Sequence, residues 1–479
     1  MYHIRKSLKK GLLMNNYSRF ILFIASISGS AALFSTDSVV NAASDPSNEL
    51  IEMIHVEKNK ITAVINSSLK EKYLKEDFFI EYDDDIDLSG LDYSIVSMPC
   101  IMNLISLVWI SGKDYYINSM DRDLFYSLIR LKRLFKVMYP RTEWNGNLIP
   151  KKIVLNKLPF TVSSYHKALL FSGGLDSTST SFAHHNKKQL LITAWGQWDL
   201  PLKSPETWTM VKKRIVDFAK ENGHSCSFIK SNYFDFLNRF ALNRLSKEIF
   251  NWRIGTIEDI GWAGMTAPLL FIKGYPTLSI AGSDTWNMPY PAPSATSPFI
   301  DSNIRCAGIC INHEQYELSR ADKVEFVVNE CKSKGLDKPF LTVCPKQTGH
   351  NCGECKKCLM TIATLWALKE DPKEYGFSIT YQEMIARMKV FMNSIFSKEN
   401  LWLDDLQNIY GVQCKLQELA KKDIQVDSEL KALFDFDFHE ELVKTNEFKY
   451  QKKMSWDELH TLFPHIGVPE KYLHSKQVA

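Results

Sequence analysis

An uncharged, strand-like run, Ala168-Leu169-Leu170-Phe171, passes without a linker into Ser172-Gly173-Gly174-Leu175-Asp176-Ser177, and residues 178–184 then have helical character. Few folds accept such a junction. Two adjacent glycines let the backbone turn sharply and come close to a ligand. The first N–H groups of the helix that follows have no intrahelical partners, and with the helix dipole they favour an anion. Ser172, Ser177 and Thr178 add hydroxyls beside those amides. Asp176 either orients the loop or meets a magnesium ion carried by phosphates. A bare Gly-Gly with an Asp cap would suit any strand-to-helix turn. The full six-residue string in this setting predicts a phosphate-binding loop formed by Leu170, Phe171, Ser172, Gly173, Gly174, Leu175, Asp176, Ser177 and Thr178, with Asp176 as the catalytic carboxylate.

The surrounding pattern supplies a sheet for that loop. Residues 167–171, 190–195 and 226–230 and Thr277–Ala281 are short apolar runs, separated by helical stretches such as 206–221 and 234–250. Strands interleaved with helices over residues 161–370 predict a parallel α/β sheet covered on both faces. Upstream, residues 46–160 read as a separate α/β region, with strands at Lys60–Ile65 and Phe78–Tyr82 and a helix over Arg122–Met138. Asp83, Asp84, Asp85 and Asp87 form either a solvated turn or a place for a hard cation. Residues 371–479 read as mostly helical.

Four of the ten cysteines lie within fifteen residues: Cys344, Cys352, Cys355 and Cys358, with seven, two and two residues between them. Thiolates on such short turns can surround zinc tetrahedrally, and four protein ligands leave no open position, so the ion would be structural. An iron–sulfur cluster or disulfides are the other uses of such a set. Lys356 and Lys357 would offset part of the negative charge.

Ser172-Gly173-Gly174-Leu175-Asp176-Ser177 resembles the loop of the PP-loop ATP pyrophosphatases. The resemblance implies the parallel-sheet α/β fold of the adenine-nucleotide alpha-hydrolase-like (HUP) group, with ATP cleaved to AMP and pyrophosphate in the presence of Mg²⁺. The competing Gly-x-x-x-x-Gly-Lys-Ser/Thr loop is absent, since Gly112-Lys113 is followed by Asp114, and there is no Gly-x-Gly-x-x-Gly. With the four cysteines downstream, residues 165–365 resemble 7-cyano-7-deazaguanine synthases, which turn a carboxylate into an amide and then a nitrile with ammonia and ATP and carry a structural zinc. This chain differs from that family by one residue fewer between the first two cysteines and by its long flanks on both sides. The implied partner is a small-molecule carboxylate or a protein terminus. Other PP-loop chemistries remain open: tRNA modification, adenylation of a terminal glutamate, or protein modification of the kind attributed to longer relatives in anti-phage defence. So does a non-catalytic ATP- or AMP-binding module.

Fifty-eight basic against 55 acidic residues leave +3, which gives no sign of a nucleic-acid partner. Gly282-Ser283-Asp284 follows a strand-like run and belongs either to the ligand edge of the sheet or to a helix cap. Trp195 and Trp198 either stack on a base or pack in the core. Arg320 and Lys323 either meet an anion or lie on a solvated helix face, and His313 is either an acid–base group or structural. At the N-terminus, Arg5, Lys6, Lys9, Lys10 and Arg19 precede an uncharged run at 20–36, and Val40-Asn41-Ala42 follows; residues 1–45 have the three parts of an export signal. ATP supply and thiolate chemistry instead favour the cytoplasm, with residues 20–36 as a possible membrane contact.

Overall fold

Nine strands form one sheet: β1 (Ile51–Val56), β2 (Lys60–Ile65), β3 (Phe78–Tyr82), β4 (His166–Leu170), β5 (Lys188–Trp195), β6 (Ser225–Ser231), β7 (Thr277–Ala281), β8 (Arg305–Cys306) and β9 (Ile309–Glu314). Their order across the sheet is β1-β2-β3-β6-β5-β4-β7-β9-β8. The structure is a computed structural model and describes residues 48–249, 251–283, 294–346, 348–396, 412–415, 417 and 418. Asp284, Phe250 and the uncharged run at 20–36 lie outside the described residues.

The five central strands, β6-β5-β4-β7-β9, are parallel. β4 comes first in the chain and lies in the middle, with β5 and β6 on one side and β7 and β9 on the other. The chain therefore reverses its direction of winding beside β4, which opens a crevice at the carboxyl ends of the strands. Short apolar runs make these strands because both faces are covered: Leu190, Leu191, Ile192 and Ala194 of β5 are all buried.

Within the 46–160 region, expected to stand apart, the strands between residues 51 and 82 join this sheet, while those between 114 and 154 pair in two small ladders of their own. β3 pairs antiparallel with β6, Ile229 opposite Tyr82, and β2 and β1 continue outward as antiparallel strands. The described residues all belong to a single compact unit. Helix α1 (Met98–Ile110) is buried all round save at its last residue, as its almost wholly apolar sequence, broken only by Asn103 and Ser106, requires. It packs on the later helix spanning Glu258–Lys273, where glycines permit close approach. A Cβ on Gly264 would stand 2.6 Å from Met102 Cβ, and one on Gly261 would stand 2.4 Å from Asn103 Oδ1. Helix α2 (Arg122–Met138) has the expected bounds. Asp121 caps it by accepting from Leu124 N at 2.9 Å, an interaction of about 1 kcal/mol. Leu124, Leu128, Leu131 and Phe135 form its buried stripe.

The helices around the parallel strands are α3 (Leu175–Ala183), α4 (Pro205–Glu221), α5 (Glu258–Lys273), α6 (Arg320–Lys334) and α7 (Lys356–Ala367), followed by α8 (Tyr381–Phe396). The expected helix at 234–250 is a correction: only Arg239–Leu242 is helical. The backbone there pairs with residues far upstream instead of with itself. Lys75 N donates to Phe236 O at 2.7 Å and Asn238 N to Tyr73 O at 2.8 Å, while Phe236 meets Phe78 edge-on. The acidic group after β3 is a turn whose carboxylates face different partners. Asp83 accepts from Ser227 Oγ and Phe228 N, Asp85 pairs with Lys273, and Asp87 accepts from Ser89. No helix among the described residues is long and apolar enough to cross a membrane.

Candidate functional site

The loop after β4 is built as its glycines require. Gly173 has φ +71°, a left-handed conformation that a side chain would strain, and its carbonyl accepts from Thr342 N at 2.8 Å. Gly174 is the N-cap of α3 and has no side chain to satisfy the helix amides, so the first turn keeps free donors. Ser172 Oγ accepts from Gly174 N at 3.2 Å, and Ser177 Oγ lies 3.3 Å from Ser172 N and 3.2 Å from Gly174 O. The two serines thus fix the turn from within. Phe171, Leu175, Ser177 and Thr178 are buried and hold the loop on the sheet.

Asp176 is on the first turn of α3 and meets two cations. Arg320 Nη2 lies 3.1 Å from one carboxylate oxygen and Lys323 Nζ 3.2 Å from the other. Burial pushes this carboxyl up, but Arg320, Lys323 and Lys357 outweigh it and hold it below its ordinary value. Ser319 and Asp322 form a capping box at the start of α6, which directs Arg320 and Lys323, three residues apart, to the same face. Cations at a helix N-terminus oppose the dipole, so they need anions nearby. Asp176 supplies one charge for two. Arg320 is 7% exposed, yet its Nε and Nη1 have no hydrogen-bond partner. Lys323 is fully buried and also donates to Gly282 O.

These groups border an open cleft of about 680 Å³ lined by Ser172, Gly174, Asp176, Trp198, Asp199, Arg320, Thr342, Lys346 and Lys357, among others. It lies at the carboxyl ends of β4 and β5, beside the point where the winding reverses. A second cleft of about 820 Å³ lies on the other side of the loop, between Phe171, Ser172, Gly173 and Arg214. Of the two tryptophans, only Trp198 reaches the first cleft, with the Arg253 guanidinium 5.0 Å over its ring. Trp195 is packed against Trp208 with nearly parallel rings 5.8 Å apart, and its Nε1 donates to Pro201 O. The geometry suits an anion with several acceptor oxygens: backbone amides, hydroxyls and an unsatisfied guanidinium converge on one space.

Cys344, Cys352, Cys355 and Cys358 come together against the same loop region, each with its sulfur within 4.8 Å of the others. Cys355 and Cys344 sulfurs are 4.0 Å apart, close to the roughly 3.8 Å edge of a tetrahedron with 2.3 Å metal–sulfur bonds. Glu354 N and Cys355 N both donate to Cys352 Sγ, as amides do around a bound thiolate. Hydrogen bonding with Cys358 pulls Cys355 down and pushes Cys358 up, so one sulfur of that pair ionises first. The set can hold a metal ion and is compatible with zinc. Cys344 also lines the cleft, and Cys355 caps α7, whose second residue is Lys357.

The chain matches no family model, no curated protein and no solved structure.

Gly282 is placed behind the loop through its bond to Lys323, whereas Asp284 lies outside the described residues. His313 is buried away from the cleft, its Nδ1 2.7 Å from Asp301 Oδ2, and burial lowers its ring to about 4. Two cleft residues escaped sequence reasoning. Asp199 carries a buried, unpartnered Oδ1, and burial raises its carboxyl against the opposing pull of Lys357 and Arg253. Thr342 clamps Gly173 from a segment with no regular secondary structure. Neither has a motif; Asp199 follows Trp198 in the turn after β5, the one signal available.

Proposed function

We propose that the chain is an ATP pyrophosphatase of the PP-loop type, which adenylates a carboxylate substrate and passes the acyl group to a nitrogen nucleophile, as 7-cyano-7-deazaguanine synthases do. The observation that carries this reading is the convergence of the Ser172–Ser177 loop, at the N-terminus of α3, with a buried Arg320 whose Nε and Nη1 lack partners. A polyphosphate supplies the missing acceptors. The carboxyl-edge position beside β4 and the 3-2-1-4-5 order of the parallel strands are further support for a nucleotide fold of this kind. Zinc on the four cysteines would be structural, tying α7 to the loop side of the cleft.

In this reading the loop amides and Arg320 hold the β- and γ-phosphates. A carboxylate oxygen of the substrate attacks the α-phosphorus, the bond to the bridging oxygen breaks, and pyrophosphate leaves. Mg²⁺, bound with the phosphates, would neutralise charge on the leaving group. Asp176, already engaged by two cations, keeps Arg320 and Lys323 oriented and is the carboxylate available to that ion. Ammonia or an amine then attacks the acyl carbon of the adenylate, giving an amide and AMP. Positioning and charge stabilisation carry most of the rate.

The test is the fate of α-³²P-labelled ATP with Mg²⁺, ammonium and 7-carboxy-7-deazaguanine, with Asp176→Ala as control. AMP that depends on the acid, with a nitrile detected by mass, is the expected result. AMP that is independent of the acid and lost in the variant keeps the pyrophosphatase class and moves the acceptor elsewhere. No AMP under any of these conditions, with no ATP binding by calorimetry, overturns the proposal.

A further inference from the structure

Of the two lysines set among the cysteines, one belongs to the cleft. Lys356 and Lys357 open α7, between Cys355, its N-cap, and Cys358, which is fully buried. From the sequence, both lysines serve to offset thiolate charge. In the fold, Lys357 borders the cleft with Ser172, Gly174, Asp176 and Arg320, and Lys356 does not. Three carboxyls from separate elements feel the Lys357 ammonium. Burial raises Asp199 and Glu258, and Lys357 pulls back on both. At Asp176 burial again pushes up, and Arg320, Lys323 and Lys357 together outweigh it. These carboxyls stand on α3, in the turn after β5 and at the start of α5, so the charge is felt across the cleft rather than along α7.

Two helices thus bring cations to one loop, Arg320 from α6 and Lys357 from α7. An anion with several acceptor oxygens can meet both at once. The cysteine segment sets the second of these positions. Cys344, Pro345, Lys346, Gly349 and Lys357 all border the cleft, so the stretch that carries the thiolates is itself one of its walls. Lys346 is turned to Glu354, 3.1 Å away. Lys357 lies between two of the four sulfur ligands, and an ion that fixes Cys355 and Cys358 fixes the turn of helix between them. We propose that Lys357, together with Arg320, contacts the pyrophosphate portion of the bound nucleotide, and that the four-cysteine site holds it there. The assignment rests on the polyphosphate reading of the Ser172–Ser177 loop. It gives the metal a part in binding as well as in folding: losing the ion lowers affinity for the nucleotide through one side chain.

The experiment measures pyrophosphate binding to the full, zinc-loaded chain by calorimetry with Mg²⁺ present, and counts zinc in every sample by elemental analysis. Lys357→Met removes the charge at nearly constant length and should weaken binding about tenfold or more, as expected for one charge-assisted contact. Lys357→Arg should recover most of that loss, and Lys356→Met, one residue away, should bind as the wild type does. Cys352→Ser tests the link to the metal. It should weaken binding in the wild-type background and add little to Lys357→Met, a non-additive pair. Circular dichroism establishes folding. If Cys352→Ser does not fold, cobalt replaces zinc, and its thiolate absorption should shift when pyrophosphate is added to the wild type but not to Lys357→Met. The proposal is overturned if Lys357→Met binds pyrophosphate as the wild type does, or if Lys356→Met weakens binding equally. It is also overturned if the cysteine variant costs the same affinity with and without Lys357, or if the cobalt spectrum responds alike in both chains. Pyrophosphate bound without regard to Lys357 would leave the ATP reading standing, whereas a wild type that binds neither pyrophosphate nor ATP overturns both.

Discussion

Replacing Asp176 by asparagine removes the one carboxylate shown between Arg320 and Lys323 and leaves two cations at the start of α6. Breaking such a pair at one partner costs about 3 kcal/mol, since the remaining charges stay out of water. The urea midpoint of Asp176→Asn should fall accordingly, and added pyrophosphate should restore part of the loss by supplying the anion. Arg320→Lys keeps the charge but not the fork of donors, so it should weaken pyrophosphate binding while leaving the midpoint nearly unchanged. A different carboxylate governs behaviour in acid. Burial pushes Glu314 up, but hydrogen bonds from His184, Lys167 and Ser279 outweigh it and hold it at about 2, against an ordinary value of 4.5. Its folded value lies below its unfolded one. The stability it contributes is therefore complete above 4.5 and is lost as pH falls toward 2. Glu314→Gln should be less stable than the wild type at neutral pH, with the difference shrinking through that window. A constant difference from pH 6 to 2 would count against this account.

Elements show where the chain could be read without coordinates. Lys60–Ile65, Phe78–Tyr82, Arg122–Met138 and Thr277–Ala281 have the bounds that their apolar spacing predicts, because each is stabilised by burying one or both of its own faces. The 234–250 segment misled for the opposite reason: its apolar residues are there to meet Phe78 and Leu74, and its backbone partners are at 73–75. The same contrast holds at the site. The Ser172–Ser177 loop and the cysteine cluster are contiguous and were legible. Asp199 and Thr342 are brought there by topology from distant positions. At the α1–α5 contact, Gly264→Val should force the helices apart, costing about 1–3 kcal/mol by thermal unfolding. A side chain there has Met102 Cβ at 2.6 Å and Met98 O at 2.9 Å, and a helix carbonyl cannot move aside cheaply.

At the scale of the molecule, the antiparallel strands β1–β3 shield the edge of β6. A chain truncated to 161–479 would present that edge unpaired, together with the apolar surface that Phe78 and Ile80 cover. Such edges recruit other chains. The truncated protein should elute as aggregate in size-exclusion chromatography, whereas the chain from residue 48 should not. Chelation acts on another part. The cysteines sit within the cluster formed by α6, α7 and α8, so stripping a bound metal should raise amide exchange there before it does in the β1–β3 region.

The pairing of β3 with β6 also sets a timetable for biosynthesis. Phe79 N donates to Asn232 Oδ1 across 153 positions of sequence. At about 5–20 residues per second, the ribosome needs on the order of ten to thirty seconds to deliver the second partner after the first. Through that interval the nascent β1–β3 meander has no neighbour on its inner side. A chaperone that holds extended apolar segments would find its substrate there, before Arg320, Thr342 and Lys357 have arrived to complete the cleft.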